Sequence, residues 1–424
     1  MRKTKRYIAL LLLGAMLLSL LAGCASSDQS APSEQPTQPP VETHYGENSV
    51  TAMSNYAITT ASPDDEIMTA VVAVDPEGQP LLNNRMLQIC YWIEFYGFMS
   101  NYGSYAIYFG LDASQPLSEQ TSIDGQTTWE QYFLQAASRH FNENYALAQA
   151  AYAEGYVLSA EDEAMIADIA SPDGEFAAEA VEAGYDTPDA YIKANFGDGV
   201  TVADYQDYLR TFYAAMDYYE QIKTAVTDGM TDEMAEAYFD ENAEAYAESR
   251  IEKKNNVTVR HILIAPEGDK DETLNDWTAE QWAAAEEKAN EVYDLWKQDP
   301  TEEHFAELAG EYTDDPGSQE TGGLYENFTT NAMVEQFSDW CFADGRVAGD
   351  TGIVRTEFGF HIMYFVQMTG TRAWLDTARE DAVNDGISNR INELCETYPA
   401  QFDYTLVRIF DMVSKMAEDN TPQG

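Results

Sequence analysis

The hydrophobic pattern of the chain changes its period near residue 255, and this change constrains the fold more than any other feature. From about residue 80 to residue 252, apolar residues recur at the spacing of amphipathic helices. The pattern then gives way to Val257-Thr-Val-Arg-His-Ile-Leu-Ile264, in which apolar residues follow the two-residue period of a strand. After Gly370, apolar residues from Trp374 to Leu394 return to the helical spacing. The sequence therefore predicts an α+β segment between two helical regions.

Start signals define several helices of the first region. Thr128 begins a helix that we expect to reach Glu154, and Ser159, with an acidic residue three positions later, begins the next one. Three further helices are predicted over 188–196, 202–226 and 232–250.

A strand and a group of aromatic residues precede these helices. The strand is predicted over 71–74, and helix is expected from Pro80 onward. Residues 91 to 109 are densely aromatic. We expect more than half of these rings to form the core and the remainder to line a groove for unfolded segments.

The first 23 residues have the composition of an export signal. Four basic residues precede an apolar stretch from Ile8 to Leu21, which is short for a membrane span. Leu21-Ala-Gly-Cys24 follows and resembles a lipobox, in which the cysteine thiol is acylated. The alternative is an ordinary secretory signal with a chance cysteine. We predict a signal peptide over 1–23, a lipid on Cys24 and a flexible tether over 24–62, so that the protein is anchored to the outer face of the cell membrane.

Acidic residues outnumber basic ones by 74 to 23, which gives the chain a formal charge of −51. This excess argues against nucleic acid as a partner, because a protein that binds phosphate groups needs a basic surface. We interpret the charge as a solvated surface that resists aggregation, with binding of cations or basic clients as the alternative. Besides Cys24 the chain has Cys90, Cys341 and Cys395, whose odd number and wide spacing predict neither a disulfide framework nor a metal site.

Short blocks of the α+β segment occur in the order found in one enzyme family. These blocks are Val259-Arg-His-Ile-Leu-Ile264, Phe305-Ala-Glu-Leu-Ala309, Tyr312-Thr-Asp-Asp-Pro-Gly-Ser318, Gly322-Gly-Leu324, Met333 with Phe337, Asp350-Thr-Gly-Ile-Val354 and Phe358-Gly-Phe-His-Ile362. Together they resemble a parvulin-type peptidyl-prolyl cis-trans isomerase over about residues 253–370.

With the lipobox and the flanking helices, the whole arrangement resembles PrsA-type foldases, which are related to SurA-type periplasmic chaperones. The resemblance implies an α+β protein whose mainly helical chaperone domain combines residues 63–252 with a C-terminal helix in 371–424. A parvulin-like domain around a small antiparallel sheet is inserted between them at 253–370. The implied function is a membrane-anchored extracytoplasmic foldase that acts on X–Pro bonds of unfolded or nascent secreted polypeptides. The oligomeric state stays open, with a dimer as one option.

The resemblance also implies the residues of the site. His261 and His361 match a pair of core histidines, and Asp315 matches the position beside them that holds Cys or Asp. Thr356 matches a hydroxyl that hydrogen-bonds within this group. The residues assigned to the proline pocket are Leu324, Met333, Phe337 and Phe358. We expect the histidines chiefly to support the site by pairing with each other, with direct chemistry as the alternative.

Rotation about an X–Pro bond breaks no bond, so no cofactor, metal or nucleophile is expected. Such an enzyme can hold proline in an apolar pocket and bind the twisted amide better than either planar isomer. Gly322-Gly-Leu-Tyr325 departs from the Gly-Asp-Leu-Gly common in the family, which keeps a holdase of weak or no isomerase activity as the alternative. The acidic loop 267–272 predicts no preference for phosphorylated clients. The long helical region argues against a third hypothesis, a solute-binding lipoprotein.

Overall fold

The computed structural model describes residues 59–60, 66–268, 276–410 and 412–413. The predictions about the signal peptide, Cys24 and nearly all of the tether lie outside these residues. The chain divides into two compact units, unit 1 with residues up to Val226 and from Gly386 onward, and unit 2 with Thr227–Asp385. The sequence-based domain limits lie elsewhere, at 252 and 370. Among the described helices, none combines the length and the apolar character needed to cross a bilayer.

The first part of the chain contains three short strands followed by six helices. The strands are β1 (Thr59–Thr60), β2 (Val71–Val74) and β3 (Pro80–Asn83). The helices are α1 (Asn84–Tyr102), α2 (Trp129–Ala153), α3 (Ala160–Asp168), α4 (Glu175–Glu182), α5 (Pro188–Phe196) and α6 (Val202–Gly229).

Polar side chains satisfy free backbone groups at the starts of these helices, as their sequence signals predict. Thr128 and Gln131 form a reciprocal capping box at α2, and the Ser159 side chain accepts from the Asp162 amide at α3. The predicted strand over Val71–Val74 is confirmed as β2. The helix expected beyond Pro80 is α1, which begins after the Asn83 cap, and the pairing of residues 80–83 with β2 as strand β3 was not predicted.

The remaining elements follow in one run. They are α7 (Asp232–Glu241), α8 (Ala243–Glu248), β4 (Val257–Ile264), α9 (Ala279–Trp296), α10 (Glu302–Tyr312), β5 (Leu324–Phe328), α11 (Glu335–Cys341), β6 (Thr351–Thr356), β7 (Gly359–Met368), α12 (Ala373–Thr397), β8 (Gln401–Phe402) and β9 (Arg408–Ile409). The single helix expected over 232–250 is therefore two, separated at Asn242, whose amide donates to the Tyr238 carbonyl.

Two fully buried amides connect α1 to the C-terminal segment in unit 1. The Asn84 side chain donates to the carbonyls of Ile67 and Leu406 and accepts from the Arg408 amide, over 2.8–2.9 Å. The Gln88 side chain donates to the Arg408 carbonyl and accepts from the Phe410 amide. These contacts satisfy backbone groups of 406–410 and hold that segment against a core that includes Trp92, Trp129 and Phe133.

Unit 2 contains a four-stranded antiparallel sheet in the order β5-β4-β7-β6. Helices α9 and α10 cover one face, where Ile262 and Ile362 are fully buried. Helix α11 covers the other face, where Val259 and Met363 pack with Phe337. The antiparallel sheet confirms the α+β fold class. The edge strand β5 was not predicted from the sequence, and Met333 lies two residues before α11 begins.

A smaller apolar cluster in unit 2 joins α7 and α8 to the first turns of α12. The rings of Phe239 and Tyr246 are stacked at 4.4 Å, and Trp374 meets Phe239 edge-on at 5.1 Å. Residues on both sides of the isomerase-like segment therefore share one cluster.

Candidate active site

The two histidines lie on neighbouring central strands and face α11. His261 is on β4 and His361 is on β7, and Leu263 is the backbone partner of His361 in the ladder. Both side chains are buried, and both rings meet the edge of the Phe337 ring at 5.3–5.4 Å. Because side chains alternate along a strand, the same register that buries Ile262 beneath α9 and α10 turns His261 toward α11.

A continuous chain of hydrogen bonds passes through the two imidazoles. The Nδ1 atoms of His261 and His361 are 3.0 Å apart, and His361 Nε2 lies 2.8 Å from Thr356 Oγ1. The Phe358 amide donates to Thr356 Oγ1, so this hydroxyl is free to donate to His361 Nε2. His361 Nδ1–H can then donate to His261 Nδ1. This assignment keeps both rings neutral and gives each ring nitrogen a partner.

Asp315 ends this chain and is held by several donors. His261 Nε2 lies 2.9 Å from its carboxylate, the Tyr325 hydroxyl donates to it at 2.9 Å, and Ser318 donates to it as well. The hydrogen bond from His261, with those from Ser318, Tyr325 and the Gly317 amide, holds the pKa of Asp315 well below its usual range. Burial of the ring and its bond to Asp315 raise the pKa of Tyr325 to about 12. The carboxylate is therefore ionised at neutral pH and the phenol is not.

Gly323 makes this arrangement sterically feasible. It has a φ of +73°, and an added Cβ would lie 2.1 Å from the His261 carbonyl oxygen. The two backbones are held close together, because the His261 amide donates a hydrogen bond to the Gly323 carbonyl oxygen over 2.8 Å. Glycine at 323 therefore lets the turn before β5 approach β4 directly behind the site.

The structure brings together most, but not all, of the residues assigned to the pocket. Phe337 is almost fully buried, and Met333 packs against the same apolar cluster. Tyr325, rather than Leu324, joins them, and its ring lies 5.2 Å from that of His261. Leu324, the residue before Tyr325 on β5, is half-buried and is not part of this cluster, and its assignment to the pocket stays a prediction.

Phe358 was assigned to the site from the sequence, and Ser318 was not. Phe358 is 51% exposed at the turn between β6 and β7, so its ring stands at the edge of the site rather than inside the apolar cluster. Ser318 is fully buried and was not singled out, although it lies in the block that supplied Asp315. Its spacing of three residues from Asp315 is the signal that could have found it, since a serine so placed can reach the carboxylate.

The environment of His361 leads to a prediction about pH. Burial, reinforced by the neighbouring His261, lowers the pKa of His361 to about 3. The unfolded chain, with an ordinary histidine pKa of about 6.5, binds more protons between these values. The contribution to stability is therefore complete above about pH 6.5 and is lost as the pH falls toward 3. NMR titration of the ring nitrogens should find His361 neutral at pH 5. A His361 midpoint near 6.5 would contradict this environment.

Comparison with known proteins identifies the segment that holds the site. Residues 246–369 match the family described as the PPIC-type PPIase domain. A foldase protein PrsA of Halalkalibacterium halodurans is 24% identical over 246 residues, which cover 57% of this chain and 64% of that protein. A chaperone SurA of Pseudomonas putida is 32% identical over 139 residues, which cover 32% of this chain and 29% of that protein. The matched segments thus span less than two thirds of either relative.

The chain also has weak similarity to solved structures. A chain from the SurA-like chaperones PEB4 and Cj1289 of Campylobacter jejuni is 21% identical and covers 46% of this chain and 69% of its own, with a TM-score of 0.28. This score is too low to support an argument about the fold. The family match and the named relatives confirm the resemblance noted in the sequence: the chain contains a parvulin domain of the PPIC type and is related to PrsA foldases and SurA chaperones.

Proposed function

We propose that this protein is an extracytoplasmic foldase that isomerises X–Pro bonds of unfolded secreted polypeptides and delays their aggregation. The observation that carries the proposal is the apolar cluster that includes Tyr325, Met333 and Phe337 beside a hydrogen-bonded histidine pair and an ionised carboxylate with several donors. Foldase and chaperone relatives support the same function.

The pocket suits a reaction that proceeds by rotation. The barrier to turning an X–Pro amide is about 18–20 kcal/mol, and the uncatalysed change takes tens of seconds or longer. Phe337 and Met333 offer an apolar surface to the proline ring, so that the preceding carbonyl group can turn while the ring is held. Binding the twisted amide more tightly than either planar isomer lowers the barrier without a nucleophile. The histidine pair supports this surface from the sheet below, and Asp315 fixes the orientation of His261.

One observation favours a second candidate, a holdase with weak turnover. Tyr325 places a bulky ring on the site face of β5, and its hydroxyl is held by Asp315. A ring in this position narrows the space left for proline. The holdase keeps the same client surface but loses the rate enhancement, so a turnover measurement separates the two functions.

Turnover should depend on Asp315. In the full chain, Asp315→Asn should lower kcat/KM for an unphosphorylated X–Pro peptide about ten- to hundredfold, the range for losing charge-assisted hydrogen bonds. The melting temperature should fall as well, because the NH2 group of Asn cannot accept from the donors that the carboxylate now binds. A protease-free NMR exchange assay measures the rate. Asp314→Asn is the matched control, since Asp314 is the neighbouring acid, is exposed, and accepts from the Ala265 amide instead of from His261.

The same assay tests the pocket. Met333→Ala should raise KM, whereas Val347→Ala, which truncates an exposed apolar side chain outside the pocket cluster, should leave KM close to that of the unaltered chain. Equal rates for Asp315→Asn and Asp314→Asn, or a larger effect of Val347→Ala than of Met333→Ala, would refute these roles. A full chain that shows no turnover at all would leave the holdase as the function.

An exposed group of apolar side chains in unit 1 is the proposed client surface. This aromatic ridge consists of Tyr102, Tyr105, Ile107 and Tyr108 at the end of α1 and in the following 3-10 helix. Tyr105 and Tyr108 are 68% and 82% exposed, and their ring centroids are 6.1 Å apart. By contrast, Tyr91, Trp92 and Phe95 earlier in α1 are buried, as expected for the majority of these rings. Tyrosine combines a large apolar area with a polar group, which suits loose binding of unfolded chains.

Chaperone action should therefore depend on the ridge and not on turnover. The double variant Tyr105→Ser/Tyr108→Ser in the full chain should protect a refolding client from aggregation less well, while peptide isomerisation stays unchanged. Light scattering of the client measures protection. Val157→Ser removes another exposed apolar side chain, 83% exposed, from the same unit and serves as the control. Undiminished protection by the double variant would place the client surface elsewhere.

Anchoring by a lipid on Cys24 is part of the proposal and rests on the sequence of the first 24 residues. Small residues precede Cys24 after a basic and apolar leader. Cys24→Ser expressed in a bacterium should release the protein from the membrane fraction, because acylation requires the thiol. Mass spectrometry of the unaltered protein should find a diacylglycerol-modified cysteine at its N-terminus. Retention of the serine variant in the membrane fraction, with no lipid mass on the original, would refute the anchor.

A further inference from the structure

Just after α8, an arginine occupies a backbone conformation that favours glycine. Arg250 has a φ of +56°. Its amide binds the Ala247 carbonyl and the Ile251 amide binds the Tyr246 carbonyl, which is the hydrogen-bond pattern of a Schellman motif. Glycine is the usual residue at this left-handed position, since a side chain there costs about 1–2 kcal/mol. The arginine is therefore retained against a local preference for glycine.

Arg250 contacts the turn that carries a residue of the proline pocket. Its Nη1 donates to the Met333 carbonyl at 3.3 Å, and its own carbonyl accepts from Thr330 Oγ1 at 2.8 Å. The Glu252 amide donates to the same Thr330 hydroxyl at 3.1 Å. Thr330 is buried, so its hydroxyl has two fixed partners on the segment that follows α8.

These contacts join two parts of unit 2 that the isomerase sheet does not itself connect. The turn over 329–334 lies between β5 and α11, and Met333 packs beside Phe337 in the pocket cluster. Inside the turn, the Ala332 amide binds the Thr329 carbonyl, and Ser338 Oγ donates to the Met333 carbonyl at 3.4 Å. Arg250 and Glu252 lie before β4, outside the sheet and its covering helices, so they supply the turn with support from the helical side.

We propose that Arg250 and Thr330 are positioning residues that hold Met333 in the proline pocket. The proposal rests on the isomerase function of that pocket and names a determinant that lies before the sheet begins. A guanidinium group and a buried hydroxyl, both fixed by the end of α8, set the position of the Met333 backbone. The pocket is consequently sensitive to how α8 ends, and not only to the residues that line it.

The decisive variant is Arg250→Gly. It should leave the protein as stable as before or more stable, while it removes a contact that positions Met333. Glycine removes the guanidinium group but favours the left-handed backbone, so the melting temperature should stay the same or rise. In the full chain with 13C-labelled methionine methyl groups, the Met333 signal, assigned through Met333→Leu, should shift and broaden. KM for an X–Pro peptide should rise about three- to tenfold, the range for one hydrogen bond, with kcat within about twofold.

Companion variants separate positioning from a general loss of structure. Thr330→Val keeps the size of the side chain but loses both hydrogen bonds and should shift the Met333 signal, whereas Thr330→Ser should restore it. Lys253→Ala is the control: its ammonium group binds Asp240 and lies over Trp374. An unmoved Met333 signal in both Arg250→Gly and Thr330→Val would overturn the proposal. If the unaltered chain has no turnover, the proposed function fails, and the Met333 signal alone still decides whether the turn is held by these residues.

Discussion

The hydrogen bond between the imidazoles of His261 and His361 is the interaction on which the isomerase-like domain depends most directly. It crosses from β4 to β7 in the middle of the sheet, between two rings that are almost wholly buried. A buried polar ring nitrogen without a partner costs about 1–3 kcal/mol, so the two Nδ1 atoms favour facing each other. A slip of one residue in the β4–β7 register would turn the histidine of the slipped strand to the opposite face and separate the two imidazoles. The pair thus favours the observed register, and the observed register places both rings on the face that α11 covers.

In unit 1, buried polar side chains are satisfied by backbone groups rather than by each other. Asn84 and Gln88 are fully buried on α1, and their amides bind the backbone of 406–410, a segment in which β9 also pairs with β1. A side-chain amide carries both a donor and an acceptor, so two of them can pair an extended segment that has little sheet beside it. The last described residues of the chain therefore belong to the core of unit 1, although more than 300 residues separate them from α1.

Sequence signals that act over a few residues predicted the helices and strands whose formation depends on neighbouring residues. Thr128 and Ser159 identified the starts of α2 and α3, because a capping side chain acts within three residues, and the two-residue period identified β4 and the face of β7 that holds His361. The short strands β3 and β5 were missed, since their extended backbone depends on strand partners that the local sequence does not reveal. Tyr325 was not singled out for the site, because the facing of a short edge strand follows from its pairing and not from its own composition. Arg250 gave no signal, since its role depends on a carbonyl group 83 residues away.

On the proposed function, the contacts of Asp315 argue that its role is to shape the pocket. Its carboxylate accepts from His261, Ser318, Tyr325 and the Gly317 amide, so its lone pairs are already engaged and its pKa lies well below the usual range. An acid in this state is a poor proton acceptor, and rotation about an amide has no proton to transfer. What Asp315 does control is geometry, since it holds the hydroxyl of Tyr325 at one end of the pocket and His261 beneath it. The width of the pocket and the orientation of the histidine pair are therefore set by a single carboxylate, which is why a substitution there should alter turnover even though no bond is broken in the reaction.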